Sequence, residues 1–110
     1  MKESDWKKFR SMVVTLRERY ITRCNDRLTV MLNNPDKTET ERFWETYEEM
    51  KIEAKNLVRC LDGHSRSKMT LFLERMIRVG MLKREDITVF SEELQEILGR
   101  DFDDCEKDNI

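Results

Sequence analysis

Phe43, Tyr47, Met50, Ala54, Leu57 and Leu61 follow one another at steps of 4, 3, 4, 3 and 4 residues, between a helix-start signal at Thr38 and a helix-stop signal at Gly63. An α-helix turns once in about 3.6 residues, so this spacing lays six apolar side chains along one side of a single long helix. A stripe of that length needs cover from another long helix, in this chain or in a second copy.

The rest of the chain offers such a helix. Ser4 or Asp5 caps a first helix, which runs from about Ser4 to Asn33. Trp6, Phe9, Val13, Leu16, Tyr20, Cys24, Leu28 and Met31 keep helical spacing along it. Val14, Ile21, Leu28 and Leu32 form a second line beside the first, which gives this helix two neighbours to touch. Asn33-Asn34-Pro35-Asp36 ends it, because proline disfavours helical geometry at the preceding residue and has no backbone N–H to donate. Thr38 and Glu41 then make a capping box for a second helix from Glu39 to Asp62, stopped at Gly63. Folded back about Pro35, the first helix is expected to cover the stripe of the second.

Ser65 caps a third helix, about Arg66 to Val79, which ends at Gly80. Met69, Leu71, Phe72, Leu73, Met76, Ile77 and Val79 make it apolar on most sides. A fourth helix, roughly Glu85 to Leu98, carries Ile87, Phe90, Leu94 and Ile97 before Gly99. The sequence thus predicts an all-α fold: a small helical bundle with two long antiparallel helices followed by two shorter ones. Three Gly and one Pro in 110 residues are too few for the reversals of a β-rich chain. Charged residues at 40% suit helices with thin apolar stripes and charged outer faces. Residues 1–99 read as one bundle domain. Residues 100–110 hold five acidic residues and little to bury, and are expected to form a frayed acidic tail.

The net charge of −2 hides segments of alternating sign: +4 over residues 1–33, −3 over 34–63, +5 over 64–84 and −8 over 85–110. Neighbouring helices of opposite sign attract one another in the folded bundle, and that reading leads. The second reading gives the basic segment 64–84 an external acidic partner. Ser65, Arg66, Ser67, Lys68, Arg75, Arg78, Lys83 and Arg84 would then contact an anion or nucleic acid. Gly63-His64-Ser65-Arg66-Ser67-Lys68 is the nearest approach to an anion site, with free N–H groups at a helix start. It lacks the spacing of a phosphate loop and has no strand before it. A helix-turn-helix is opposed by the bulk of Met76 and by Glu85, Asp86, Glu92, Glu93 and Glu96 on the would-be recognition helix, which phosphates would repel.

Cys24, Cys60 and Cys105 stand far apart with no CxxC pair, and His64 is the one histidine. Neither a metal-ligand set nor a catalytic motif is present, so no metal, cofactor or catalytic residue is assigned. Cys24 and Cys60 read as small apolar packing residues, with Cys24 near Tyr47, and His64 as a surface turn residue. The carboxylates of the second helix fall outside its stripe, as on a solvated face. No stretch approaches the ~18–20 apolar residues of a membrane span. The opening residues lack the apolar core of a secretory signal, and the expected location is cytoplasmic.

The function these features favour is a non-enzymatic one: protein–protein contact or regulation through a helical surface. The partner is a second copy of the chain, as a homodimer, or another helical protein. Trp6, Phe9, Val14, Ile21, Trp44 and Val58 are the candidate interface, since the two short helices cover only part of the long pair. The alternative is a nucleic-acid or phosphate-binding regulator using segment 64–84.

Overall fold

The computed structural model describes residues 2–108. It consists of four α-helices: α1 (Glu3–Leu32), α2 (Glu39–Leu61), α3 (Met69–Val79) and α4 (Glu92–Asp108). Short 3-10 turns at Arg66–Lys68 and Arg84–Val89 join the later elements, and no strand occurs among the described residues. The all-α expectation holds, with two long helices before two shorter ones.

The first reversal forms as its residues dictate. Glu41 N–H donates to Thr38 Oγ1 at 3.1 Å while Thr38 N–H donates to Glu41 Oε1 at 3.0 Å, so the capping box closes in both directions. Arg42 Nε bonds back to the Asn34 carbonyl at 2.6 Å and ties α2 to the turn. Side chains along α1 meet α2 in descending order, Cys24 at Glu53 and Arg27 at Glu49, which makes the pair antiparallel.

The core fills only one end of this hairpin. Trp6, Phe9 and Leu16 of α1 and Cys60 of α2 are enclosed by Phe72, Leu73 and Met76 of α3, and by Leu94, Leu98 and Phe102 of α4. The hairpin runs on past this cluster, so the molecule measures 52 × 30 × 19 Å. Tyr20 and Cys24 still belong to the cluster, and beyond them α1 buries only Leu28.

Both short helices differ from their expected bounds. Residues 66–68 form a 3-10 turn, so α3 begins at Met69. Met81, Leu82, Ile87 and Phe90 lie in the connection after α3 and are all buried, which holds residues 84–89 in a 3-10 turn and delays α4 to Glu92. Gly80 ends α3 at φ +79°, in the left-handed region, and the N–H groups of Met81 and Leu82 bond the Met76 carbonyl at 2.8 and 3.1 Å.

Gly99 does not end α4, and residues 100–108 are not a frayed tail. The helix continues because Phe102 lies one turn after Leu98 and is buried, at 8% exposed. Arg84 reaches across from the connection to Asp103 at 2.7 Å and Glu106 at 2.9 Å, with its guanidinium 5.2 Å from the centre of the Phe102 ring. One aromatic and one bridging cation hold a segment whose composition reads as solvated. Residues 109–110 of the expected tail lie outside the described residues.

Gly99 and Gly80 therefore respond oppositely to alanine. A Cβ at Gly99 meets nothing within 4 Å and sits inside a regular helix. Gly99→Ala should stabilise the protein by about 1 kcal/mol and raise Tm by several degrees. Gly80→Ala puts a Cβ on a left-handed backbone and should destabilise by about 1 kcal/mol or more. Thermal and urea unfolding of the two variants checks both signs.

Candidate functional site

The rotation of α2 about its own axis decides which face is free. Cys60 is fully buried in the core. Seven residues make nearly two helical turns, with a drift of about 20°, so Glu53 and Thr46 must lie on the same line as Cys60. These three are the buried residues of α2, and Glu53 bonds Cys24 of α1. The stripe consequently points elsewhere: Phe43 is 58% exposed, Met50 52% and Tyr47 44%, and Ala54 is exposed as well. Only Leu57 and Leu61, at the core end, are partly covered. The expectation that the first helix covers the stripe is overturned, because the Cys60 anchor turns the polar line of α2 inward.

What α1 meets is a polar seam. Cys24 Sγ donates to Glu53 Oε2 at 2.7 Å, Asn56 Nδ2 donates to Glu53 Oε1 at 3.1 Å, and Arg27 lies 2.9 Å from Glu49 and 3.6 Å from Glu53. Burial by itself would raise the pKa of Glu53. Hydrogen bonds from Cys24 and Asn56, together with the nearby Tyr20 hydroxyl and the Arg27 charge, outweigh it and hold the carboxyl below its usual range. Burial first, then the Glu53 charge, pushes the Cys24 thiol up to about 11 and raises Tyr20 as well. Cys24 is thus a protonated donor near Glu53 rather than an apolar packer near Tyr47, and it has the opposite tuning from a nucleophilic thiol. Glu53, moreover, is no part of a solvated face. The Thr46 hydroxyl is buried with no hydrogen-bond partner among the described residues.

The outward face of α2 is apolar and ordered. Phe43 and Trp44 meet edge to face with centroids 4.9 Å apart, Trp44 and Tyr47 do so at 5.9 Å, and Lys51 Nζ stands 5.2 Å from the Tyr47 ring centre. Trp44 is 56% exposed, and Val58, further along the face, 57%. Half-exposed aromatic side chains of about 150–250 Å² each, with Met50 and Val58, leave roughly 500 Å² of apolar surface open. That lies near the top of the range for the largest patch on a monomer, about 300–600 Å².

Of the interface residues read from sequence, Trp44 and Val58 stand on this face. Val14 is exposed on α1, and Ile21 is half-buried. Trp6 and Phe9 are corrected: both are buried in the chain's own core, at 8% and 0% exposed. The connection before α4 folds over the start of α1, where Ser91 N–H and Oγ donate to Asp5 at 2.8 and 2.6 Å and Lys8 Nζ donates to the Val89 carbonyl at 2.6 Å. Phe43, Tyr47, Met50 and Ala54 are exposed on the same face and are not among the candidate interface residues read from the sequence. Their spacing showed a stripe, but only the burial of Cys60 shows where it points.

The basic segment is partly engaged within the chain. Arg66 pairs with Glu3 at 2.9 Å, and Arg84 takes Asp103 and Glu106. Arg75 donates to the Arg59 carbonyl at 3.2 Å and lies 5.1 Å from the Phe72 ring centre. Lys68 and Arg78 are exposed and Lys83 half-buried. Ser65 precedes and Ser67 lies within a three-residue 3-10 turn rather than the start of a regular helix, so the row of free N–H groups expected there does not form. His64 is not a surface turn residue. It is half-buried, its ring edge-on to Phe9 and Phe72 with centroids 4.9 and 4.5 Å away, and its Nε2 lies 2.7 Å from the Cys60 carbonyl. No group of side chains suited to a metal ion occurs among the described residues, and no described helix is long and apolar enough to cross a membrane.

The Glu53 seat yields a pH-dependent outcome. A carboxylate whose pKa is lowered in the fold contributes stability that is complete above its usual value of 4.5 and is lost as pH falls through the folded value. Glu53→Gln should destabilise by about 1–2 kcal/mol at pH 7, with the difference from wild type shrinking below pH 4.5 in urea titrations. No protein-family model, curated protein or solved structure matches the chain.

Proposed function

We propose that this protein acts by contact, as a non-enzymatic interaction or regulatory protein whose binding surface is the outward face of α2. The observation that carries the reading is the exposure of Phe43, Trp44, Tyr47, Met50 and Val58 along one face of the helix. Aromatic residues and Met on an ordered helical face are the composition of binding hot spots. Another amphipathic helix, from a second copy of the chain or from a different protein, is the partner that such a face fits. The polar groups sunk in the seam support a structural role, since Cys24 donates to Glu53 and burial raises the pKa of its thiol. The alternative, phosphate or nucleic-acid binding by segment 64–84, draws less support because Arg66 and Arg84 are bonded to carboxylates of the same chain.

Capture from the native host with tagged wild type and with Met50→Glu tests the reading. Met50 is half-exposed, so the variant should keep the wild-type circular dichroism and melting temperature. The expected result is a bound protein, or untagged copies of the chain, recovered at least tenfold better by wild type. Equal recovery by the two proteins would overturn the assignment of the α2 face.

A further inference from the structure

Arg17, Arg19, Arg27, Arg42, Arg66 and Arg84 are each paired with a carboxylate. The chain's other arginines form no ion pair among the described residues, and four of them line one groove. Arg59, Arg75 and Arg78 surround a cavity of about 60 Å³ between α2 and α3, while Arg23 stands with Arg27 at a cavity of about 260 Å³ between α1 and α2. Asn56 and Val79 line both cavities, so the two adjoin. In a chain with 23 acidic residues against 21 Lys and Arg, cations without a partner should be scattered unless the fold gathers them. Two of the four are fixed by groups that leave their charge intact. Arg75 donates to the Arg59 carbonyl at 3.2 Å over the Phe72 ring. Arg23 donates to the Gly80 carbonyl at 2.5 Å, its guanidinium 5.6 Å from the Tyr20 ring centre. A guanidinium has five N–H donors, so each keeps donors free once its carbonyl is served. Glu53 also lines the larger cavity, but its oxygens are taken by Cys24, Asn56 and Arg27. Glu74 and Asp101 stand near Arg78 without pairing with it.

We infer that this groove between α1, α2 and α3 binds a compact oligophosphate, whose phosphate groups are contacted by Arg23, Arg59, Arg75 and Arg78. Guanidinium forks match phosphate oxygens two at a time, which the point charge of a lysine does not. Cys60 and Val79 make part of the wall apolar, and a cleft of that kind lined by one sign of charge concentrates the field within it. Two adjoining cavities with arginines at each suit an anion of two or more phosphate groups. The lining offers a base nothing to stack on: Tyr20 and Phe72, the rings under Arg23 and Arg75, are only 5% and 3% exposed. Asn56 and Arg59 fall on the far side of α2 from Phe43 and Tyr47 at the helical 3.6 residues per turn. The groove is therefore separate from the contact face of α2, and either can fail without the other. Arg75 and Arg78 come from the basic segment 64–84, but the site is complete only with α1 and α2 beside them.

Isothermal titration at low salt, with a chelator present, tests the site using pyrophosphate, tripolyphosphate, ATP and sulfate. It compares wild type with Arg59→Gln plus Arg78→Gln, and with Arg10→Gln plus Arg100→Gln, which removes the same charge from exposed arginines outside the groove. Arg59→Gln and Arg78→Gln are also measured singly, and melting curves establish that each protein is folded. Tripolyphosphate should bind wild type one to one, and the groove pair should weaken it by about tenfold or more through the loss of charge-assisted hydrogen bonds. The outside pair should stay within about twofold of wild type, and sulfate should bind about tenfold more weakly than pyrophosphate at equal ionic strength. ATP that matches tripolyphosphate supports recognition of the phosphate chain alone. ATP bound about tenfold tighter would overturn that by giving the nucleoside a contact of its own. No saturable heat up to about 5 mM tripolyphosphate, or equal weakening by the groove pair and the outside pair, would overturn the site. Displacement of tripolyphosphate by single-stranded RNA at about a tenth of its phosphate concentration would overturn the compact ligand in favour of a nucleic-acid backbone.

Discussion

Glu53 is a carboxylate sunk between two helices, and the orientation of the whole hairpin depends on its being satisfied there. Ionised and dry, it would cost several kcal/mol. Cys24, Asn56 and Arg27 converge on its two oxygens from both helices and offset that cost. Each donor is useful only at one rotation of α2 and one register against α1. Buried polar groups of this kind add little net stability but discriminate sharply between packings, since a slip by one residue leaves the carboxylate without its donors. Cys60 sets the same rotation from the other end, by packing into the core two turns along.

The two ends of the molecule are consequently held by different forces. Around the first half of α1, the core residues of α3, α4 and the connection supply apolar burial from several sides. Ion pairs then fasten the periphery: Arg19 to Asp86, Arg66 to Glu3, Arg84 to Asp103 and Glu106. Arg19 and Arg84 reach from net-basic segments to the acidic 85–110, as the alternating charge of the chain implies, whereas Arg66 meets a carboxylate within the net-basic residues 1–33. At the far end of the hairpin there is no third layer. Beyond Tyr20 and Cys24, which still join the core cluster, Leu28 and the ion pairs of Arg27 with Glu49 and Glu53 carry it, so local opening should begin there rather than in the core.

Local signals in the sequence translated directly into structure. Thr38 and Glu41 close their box, Gly80 takes the left-handed turn, and Pro35 follows the end of the first long helix, because each is decided by atoms within a few residues. Misreadings arose where a distant residue decides. Phe102 keeps α4 going because Leu98 and Arg84 are beside it, although its neighbours in sequence are acidic. Trp6 and Phe9 are covered because the connection folds back over the start of α1 and Ser91 finds Asp5. The stripe of α2 was legible as a stripe, but spacing is blind to absolute rotation. Which side of a helix faces inward is settled by what the rest of the fold offers it, here a pocket for Cys60 and donors for Glu53.

That rotation also has an energetic consequence. Leaving roughly 500 Å² of aromatic and aliphatic surface in water forgoes about 10 kcal/mol of burial. Turning α2 by about a quarter turn would bring the stripe toward α1 and recover part of it. The same turn would pull Cys60 out of the core and strip Glu53 of its donors. The fold keeps the inner contacts, and an isolated chain has no other element long enough to cover the outer ones. A face of this composition in water is an aggregation hazard unless something of matching shape and charge is seated on it.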